Sequence, residues 1–232
     1  MLIFIPVRLA SIRLPNKPIA DVKGLPMMIQ VGMRARESKA GDVIFACGDK
    51  ELVDIAESHD FRAVLTDPKL PTGTDRVHAA YKALNTKEQH IINVQGDMPF
   101  ISPATVAETA RLMANASADM VTAASIVSDT ADTLNPSVAK VVLAQNNRAL
   151  YFSRTPNLPH GNGDYYRHLG IYGFQAEALE KFVNLPQSPL EKRENLEQLR
   201  ALENGMTIDV AIVDDFPQSV DTHEDLVKVR AA

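Results

Sequence analysis

The chain has 232 residues, 45% apolar and 23% charged, and its 24 Lys and Arg against 29 Asp and Glu give a formal net charge of −5. That length suffices for one large α/β domain or two small ones around a substantial core, and the composition excludes a disordered or collagen-like chain. A mildly acidic chain with no long basic run is poorly suited to neutralise a nucleic-acid backbone, so its cations are expected to act locally on small molecules.

The single cysteine, Cys47, can form neither an intrachain disulfide nor a thiolate cage, and its apolar run predicts a buried, inert thiol. The N-terminal apolar stretch is broken by Pro6 and Arg8 and lacks a basic leader, and no stretch approaches a membrane span. The expected compartment is the cytoplasm, with no membrane partner.

In chain order, a strand is expected at 2–7, running directly into Arg8-Leu9-Ala10-Ser11-Ile12-Arg13-Leu14-Pro15-Asn16-Lys17, three cations in ten residues. Ligands of open α/β sheets collect at the carboxyl ends of strands, so this loop predicts a site for a phosphate-bearing small molecule. Arg8 and Lys17 bracket Ala10 and Ser11, where backbone amides can approach phosphate oxygens while the cations neutralise them. A merely solubilising surface loop is the plainer alternative.

Pro26 fits the first position of a helix reaching about Ser38, with Met28, Val31 and Ala35 on one side. Strands follow at 43–47 and 62–65, then a helix from near Thr74 with Val77, Ala80, Tyr81 and Leu84 at helical spacing. The strand at 90–95 ends in Gln95-Gly96-Asp97, which should point into the same crevice as the cationic loop. A carboxylate facing a polyphosphate needs a cation between them, and this implies Mg²⁺. Asp97 is not needed as a helix cap, because Ser102-Pro103 opens the next helix, through Met113; a strand at 120–127 completes a doubly wound pattern.

After Asn135-Pro136 the pattern shifts to short strands at 138–143, 149–152 and 169–174, then one helix at 189–203. The organisation expected is a single domain in which 1–134 and 206–232 form a nucleotide-binding core and 135–205 an inserted antiparallel lobe. In the lobe helix Leu196, Leu199 and Leu202 make the apolar stripe, while Glu194, Glu197 and Gln198 on the other side read as a solvated acidic face. Arg154, Arg167, His168, Tyr172, Glu197 and Gln198 supply the cations and hydroxyl-binding groups an acidic sugar requires, although each taken singly is ordinary structural material.

Gly161-Asn162-Gly163 follows a turn and lacks a third glycine, so it is no dinucleotide fingerprint, and the chain has neither a Walker pattern nor a two-histidine zinc motif. The chain closes with a strand at 208–213 and a helix for which Thr222 and Asp225 form a capping pair. Asp221 is thereby left free to ligate, and Asp97 with Asp221 is the expected Mg²⁺ pair.

Nine ordered motifs run the length of the chain: RLASIRLPNKPI at 8–19, TGTDR at 72–76, NVQGD at 93–97, NPSVAKVV at 135–142, YFSR at 151–154, RHLGIYGF at 167–174, SPLE at 188–191, LEQLR at 196–200 and VDTHEDL at 220–226. Together they resemble the 3-deoxy-manno-octulosonate (Kdo) cytidylyltransferases, the CMP-Kdo synthetases of lipopolysaccharide biosynthesis. The resemblance implies an α/β nucleotide-diphospho-sugar transferase (Rossmann-like) fold, with a mostly parallel central sheet and a small antiparallel lobe for sugar binding and homodimerisation.

It further implies that Arg8, Ala10, Ser11 and Lys17 contact CTP, that Gly73 and Arg76 help form its pocket, and that Asp97 and Asp221 hold Mg²⁺. Gln95, Arg154, His168, Tyr172, Glu197 and Gln198 match positions around the sugar. The implied reaction is attack of the anomeric hydroxyl of Kdo on the α-phosphate of CTP, with Arg8, Lys17, Asp97 and Asp221 as the catalytic set. No residue stands out as a general base.

The chain departs from the family pattern at Met98, usually acidic, at Gly48-Asp49, where Thr-Asp is commoner, at Leu9, usually aromatic, and at Asn16, usually Gly. These departures leave open a cytidylyltransferase for a modified Kdo, such as an 8-amino form, or for another acidic sugar. They also leave open a non-catalytic nucleotide-binding relative.

Overall fold

Six consecutive apolar residues with no polar alternation specify a strand covered on both faces, and β1 (Leu2–Val7) is buried along its whole length. The computed structural model describes residues 1–11, 13–127, 130–156, 158–159 and 163–231, without the side chains of 130 and 131; Gly161 and Asn162 of the Gly161-Asn162-Gly163 stretch lie outside this set. The chain forms two compact units, Met1–Ala107 with Phe216–Ala232, and Glu108–Asp215.

In the first unit β1 leads through a short 3-10 turn, Lys17–Ile19, to a hairpin of β2 (Asp21–Val22) and β3 (Leu25–Pro26). Pro26 pairs with Asp21 in that hairpin and immediately precedes α1 (Met27–Glu37), one residue outside the helix it was expected to open. β4 (Asp42–Cys47), α2 (Lys50–Ser58), β5 (Arg62–Leu65), α3 (Gly73–Ala83), β6 (His90–Val94) and α4 (Pro103–Asn115) follow. The strands make a parallel sheet in the order β6-β1-β4-β5, so β1 is central and the carboxyl ends of β1, β4 and β6 lie along one edge.

α2 is absent from the expected elements because its buried residues, Leu52, Val53 and Ala56, span little more than one turn and leave a weak periodic signal. Cys47 at the end of β4 is buried, and burial pushes its thiol up to about 12, as the inert reading requires.

The second unit is built on β7 (Met120–Ile126), followed by α5 (Thr130–Leu134), β8 (Lys140–Leu143), β9 (Ala149–Ser153) and β10 (Tyr166–Gln175). Then come α6 (Ala176–Asn184), α7 (Pro189–Glu194), α8 (Gln198–Glu203) and β11 (Ile208–Ile212). β10 runs antiparallel to both β7 and β8, β8 antiparallel to β9, and β11 parallel to β7.

The single helix expected at 189–203 is two helices. Asn195 adopts a left-handed conformation, φ 54°, which ends α7, and α8 begins only after Glu197. The plain reading of a solvated face fails at Gln198, which is 1% exposed and faces the interior, while Glu194 and Glu197 are half-buried. Arg200 and Glu191 form a buried ion pair that ties α8 to α7.

The chain returns to the first unit with α9 (His223–Ala231), whose Leu226 and Val229 pack with Val22, Met27 and Val220. Among the described residues no helix is long and apolar enough to cross a membrane.

Candidate active site

Parallel pairing of β1 with β6 sets the ends of both strands side by side, and the loops leaving them wall a cleft of about 370 Å³. The opening loop contributes Arg8, Ala10, Ser11, Arg13 and Lys17; Thr72, Gly73 and Arg76 come from the start of α3, and Gln95, Asp97 and Asp221 also line the cleft.

The opening loop is held by its own backbone. Asn16 sits at φ 59°, ψ 25°, a left-handed conformation that Asn tolerates better than most side chains, which accounts for it where Gly is usual. Its N–H donates to Leu9 O at 3.3 Å, closing the loop, and the Leu9 N–H donates to Asp49 Oδ2 at 2.8 Å. A backbone anchor at Leu9 does not depend on the aromatic side chain more usual there.

At the inner end Lys17 Nζ donates to Asp97 Oδ2 (3.1 Å), Asp221 Oδ1 (3.2 Å) and Val220 O (2.9 Å). Burial by itself would depress the ammonium, but attraction to Asp97 and Asp221 outweighs it and holds Lys17 above its ordinary value. Arg13 Nη2 lies 3.1 Å from Asp221 Oδ1. The Asp221 carboxylate is not spent on capping α9, because Thr222 and Asp225 exchange the capping bonds, and Asp225 Oδ2 also accepts from the Asp221 N–H.

Asp97 and Asp221 thus converge, half-buried, on one cation beside a cationic loop. The donor set fits Mg²⁺, a hard cation that takes one or two carboxylates and completes its shell with water and phosphate oxygens. Among the described residues no group of three or more His, Cys, Asp or Glu side chains is placed to hold a metal ion.

Arg76 lines the cleft but is 2% exposed; Nη1 donates to Thr66 Oγ1 at 2.7 Å and Asp67 O at 3.0 Å. Burial, and then the charge of Arg8, lowers its pKa. Gly48 makes room for this arrangement, since a Cβ there would lie 2.8 Å from Arg76 Nη1 and 3.0 Å from Arg8 Cβ. Gln95 Nε2 donates to Asn93 Oδ1 at 3.0 Å, and Met98 is buried.

The remaining expected sugar residues belong to the second unit. The Thr122 hydroxyl donates to Ile171 O at 2.7 Å, so at 2.9 Å it must accept from His168 Nε2–H, which assigns the tautomer of a neutral imidazole. Burial, reinforced by Arg154, pushes His168 down to about 3. Its ring lies 5.5 Å from that of Tyr172, whose hydroxyl donates to Gln198 Oε1 at 3.1 Å. Burial, and then Glu197, raises the Tyr172 hydroxyl. Gln198 Nε2 is buried without a partner among the described residues, a donor available to a ligand oxygen.

Arg13 and Thr72 also line the first cleft and are missing from the residues chosen from the sequence. Arg13 was detectable as the third cation of the opening loop. Thr72 carried only the signal of a capping box with Asp75.

The cytidylyltransferase family model matches residues 2–208 of this chain. A 3-deoxy-manno-octulosonate cytidylyltransferase of Parvibaculum lavamentivorans is 47% identical over 237 positions, covering 100% of this chain and 92% of that protein. Another, from Bradyrhizobium diazoefficiens, is 44% identical and covers 100% and 96%. A solved structure of CMP:2-keto-3-deoxy-manno-octonic acid synthetase complexed with CTP superposes with a TM-score of 0.92 at 33% identity, covering 99% of this chain and 96% of that one. A putative glucose-1-phosphate thymidylyltransferase from Bacillus anthracis, at 16% identity and TM-score 0.70 over 100% and 94% of the two chains, shares the fold.

Proposed function

This chain belongs to the cytidylyltransferase family, among the 3-deoxy-manno-octulosonate cytidylyltransferases, and from that premise we propose that it transfers CMP from CTP to Kdo, releasing pyrophosphate. The product, CMP-Kdo, serves lipopolysaccharide biosynthesis, and the working enzyme is a Mg²⁺-dependent cytoplasmic homodimer. The observation that carries the reading is the convergence of Asp97 and Asp221 on Lys17, beneath a loop that also presents Arg8 and Arg13.

In the reaction the anomeric hydroxyl oxygen of Kdo bonds to the α-phosphorus of CTP and gives up its proton to solvent, the bond from that phosphorus to the bridging oxygen breaks, and the electron pair leaves with pyrophosphate. Displacement at phosphorus asks for positioning and charge neutralisation more than for covalent help. Arg8, Arg13 and Lys17 supply cations to the triphosphate, and the backbone at Ala10 and Ser11 allows close approach. Asp97 and Asp221 would hold Mg²⁺, which supplies further neutralisation of phosphate charge. In the second unit Arg154 offers a cation to the sugar carboxylate, and Tyr172, His168, Glu197 and Gln198 offer hydroxyl-binding groups.

Pyrophosphate release from each nucleoside triphosphate, with and without Kdo and Mg²⁺, tests the reading. Release is expected only with CTP, Kdo and Mg²⁺ together. Preference for an 8-amino Kdo or another acidic sugar would replace the acceptor, and CTP binding without turnover on any 2-keto sugar acid would overturn the reaction. Light scattering at twice the chain mass checks the homodimer.

A further inference from the structure

Arg154 closes the YFSR segment at the end of β9, and almost every polar group it has is tied down. Its N–H donates to Glu194 Oε2 at 2.8 Å, and its carbonyl accepts from Lys140 Nζ at 3.5 Å. The guanidinium is anchored on two of its nitrogens: Nε donates to Glu194 O at 3.1 Å, and Nη1 donates to Ser137 O at 2.9 Å and Pro136 O at 3.3 Å. Nη2 has no partner among the described residues.

A planar guanidinium held at Nε and Nη1 keeps a fixed orientation, so the open Nη2 edge is presented without the usual loss of side-chain freedom on binding. The anchor itself centres on Glu194, the last residue of α7. Its carboxylate accepts from Tyr151 Oη (3.3 Å), from Ser153 Oγ (3.1 Å to each oxygen) and from the Arg154 N–H. Its backbone carbonyl takes Arg154 Nε. One residue therefore fixes both the strand end that carries Arg154 and the plane of its guanidinium.

Lys140 completes the clamp from the other side. Its fully buried ammonium donates to Asn135 O at 2.7 Å as well as to Arg154 O. The carbonyls of three consecutive residues, 135 to 137, are thus taken by two cations, Lys140 and Arg154.

We propose that Glu194 is a positioning residue for the acceptor: by clamping Arg154 it aims the open guanidinium edge at the carboxylate of the acidic sugar, and so sets sugar affinity without touching the sugar. The inference rests on the reading of Arg154 as a sugar-carboxylate contact. An amide at 194 keeps the shape but removes the negative charge and leaves one acceptor oxygen where Glu194 has two, for the Tyr151 and Ser153 hydroxyls and the Arg154 N–H.

The test measures KM for Kdo at saturating CTP, KM for CTP at saturating Kdo, kcat and thermal melting. The variants are Glu194→Gln, Ser153→Ala, Arg154→Ala and the double change of Arg154→Ala with Glu194→Gln. Glu194→Gln is expected to raise KM for Kdo roughly tenfold, the worth of one misdirected charge-assisted hydrogen bond, with KM for CTP within about twofold. In the Arg154→Ala background it should add nothing further, because the group it aims is gone.

Ser153→Ala, which removes one donor to Glu194 and creates no repulsion, should move KM for Kdo in the same direction by a smaller factor. It carries the test should Glu194→Gln fail to fold. Equal changes in both KM values, or full additivity with Arg154→Ala, would make Glu194 a scaffold residue and overturn the proposal. A normal KM for Kdo in Arg154→Ala would instead remove the sugar assignment of Arg154, and no turnover of Kdo by the unaltered enzyme would remove the proposed reaction.

Discussion

Lys17 Nζ lies 3.1 Å from Asp97 Oδ2 across 80 residues of sequence, and the same ammonium reaches Asp221. Two carboxylates brought together in a half-buried cleft repel each other, and a single ammonium between them turns that repulsion into two attractive contacts.

Removing the cation should expose this dependence. Lys17→Met is expected to destabilise the protein by about 1–3 kcal/mol at pH 8 and to raise KM for CTP, measured by urea unfolding and pyrophosphate release. The pH dependence has a definite sign. Since the native Lys17 pKa is raised above 10.5, its stabilising contribution is fully present below that value and is lost as pH rises through the higher native value. The difference in unfolding midpoint between the unaltered protein and Lys17→Met should therefore narrow above pH 10.5; a constant difference up to pH 12 would contradict it.

His168 works in the acid range. The folded protein keeps its imidazole neutral down to about 3, whereas the unfolded chain takes up a proton near 6.5. The unfolded state binds more protons between those values, so stability falls as pH drops through that window. Relative to His168→Gln, which can still donate to Thr122, the unaltered protein should lose roughly 3 kcal/mol more between pH 7 and pH 4. Parallel stability–pH curves for the two proteins would show that His168 does not titrate in this way.

Gly96 packs directly against β1, one residue before Asp97. A Cβ at this position would lie 2.8 Å from Val7 Cγ1 and 3.0 Å from Pro6 O, and the backbone oxygen cannot swing aside. Gly96→Ala is expected to cost about 1–3 kcal/mol by overpacking and to lower activity more than this loss of fold explains, because Asp97 is the next residue. Full activity with unchanged melting would refute the claim.

Much of the fold was legible because its signals are local. Apolar-rich runs marked β1, β4, β6 and β7, and Thr222 with Asp225 announced the start of α9. The break inside 189–203 was hidden, since a left-handed Asn195 leaves the apolar spacing of Leu196 and Leu199 intact. α2 and α6 were hidden for another reason: each is nine residues long, with only three buried positions.

The site divides in the same way. Composition and order of residues were enough to identify the cationic loop, the two isolated carboxylates and, through nine ordered motifs, the family. Which groups those residues touch was not written locally. That Arg76 turns inward to hold residues 66–68, that Gln198 is buried, and that Glu194 clamps Arg154 all depend on contacts between distant segments. By itself the sequence determined the elements and the chemical inventory, because backbone preference and side-chain type are properties of short segments. Only the tertiary structure decided that Lys17, Asp97 and Asp221 meet, because strand order and register bring together residues up to 204 positions apart.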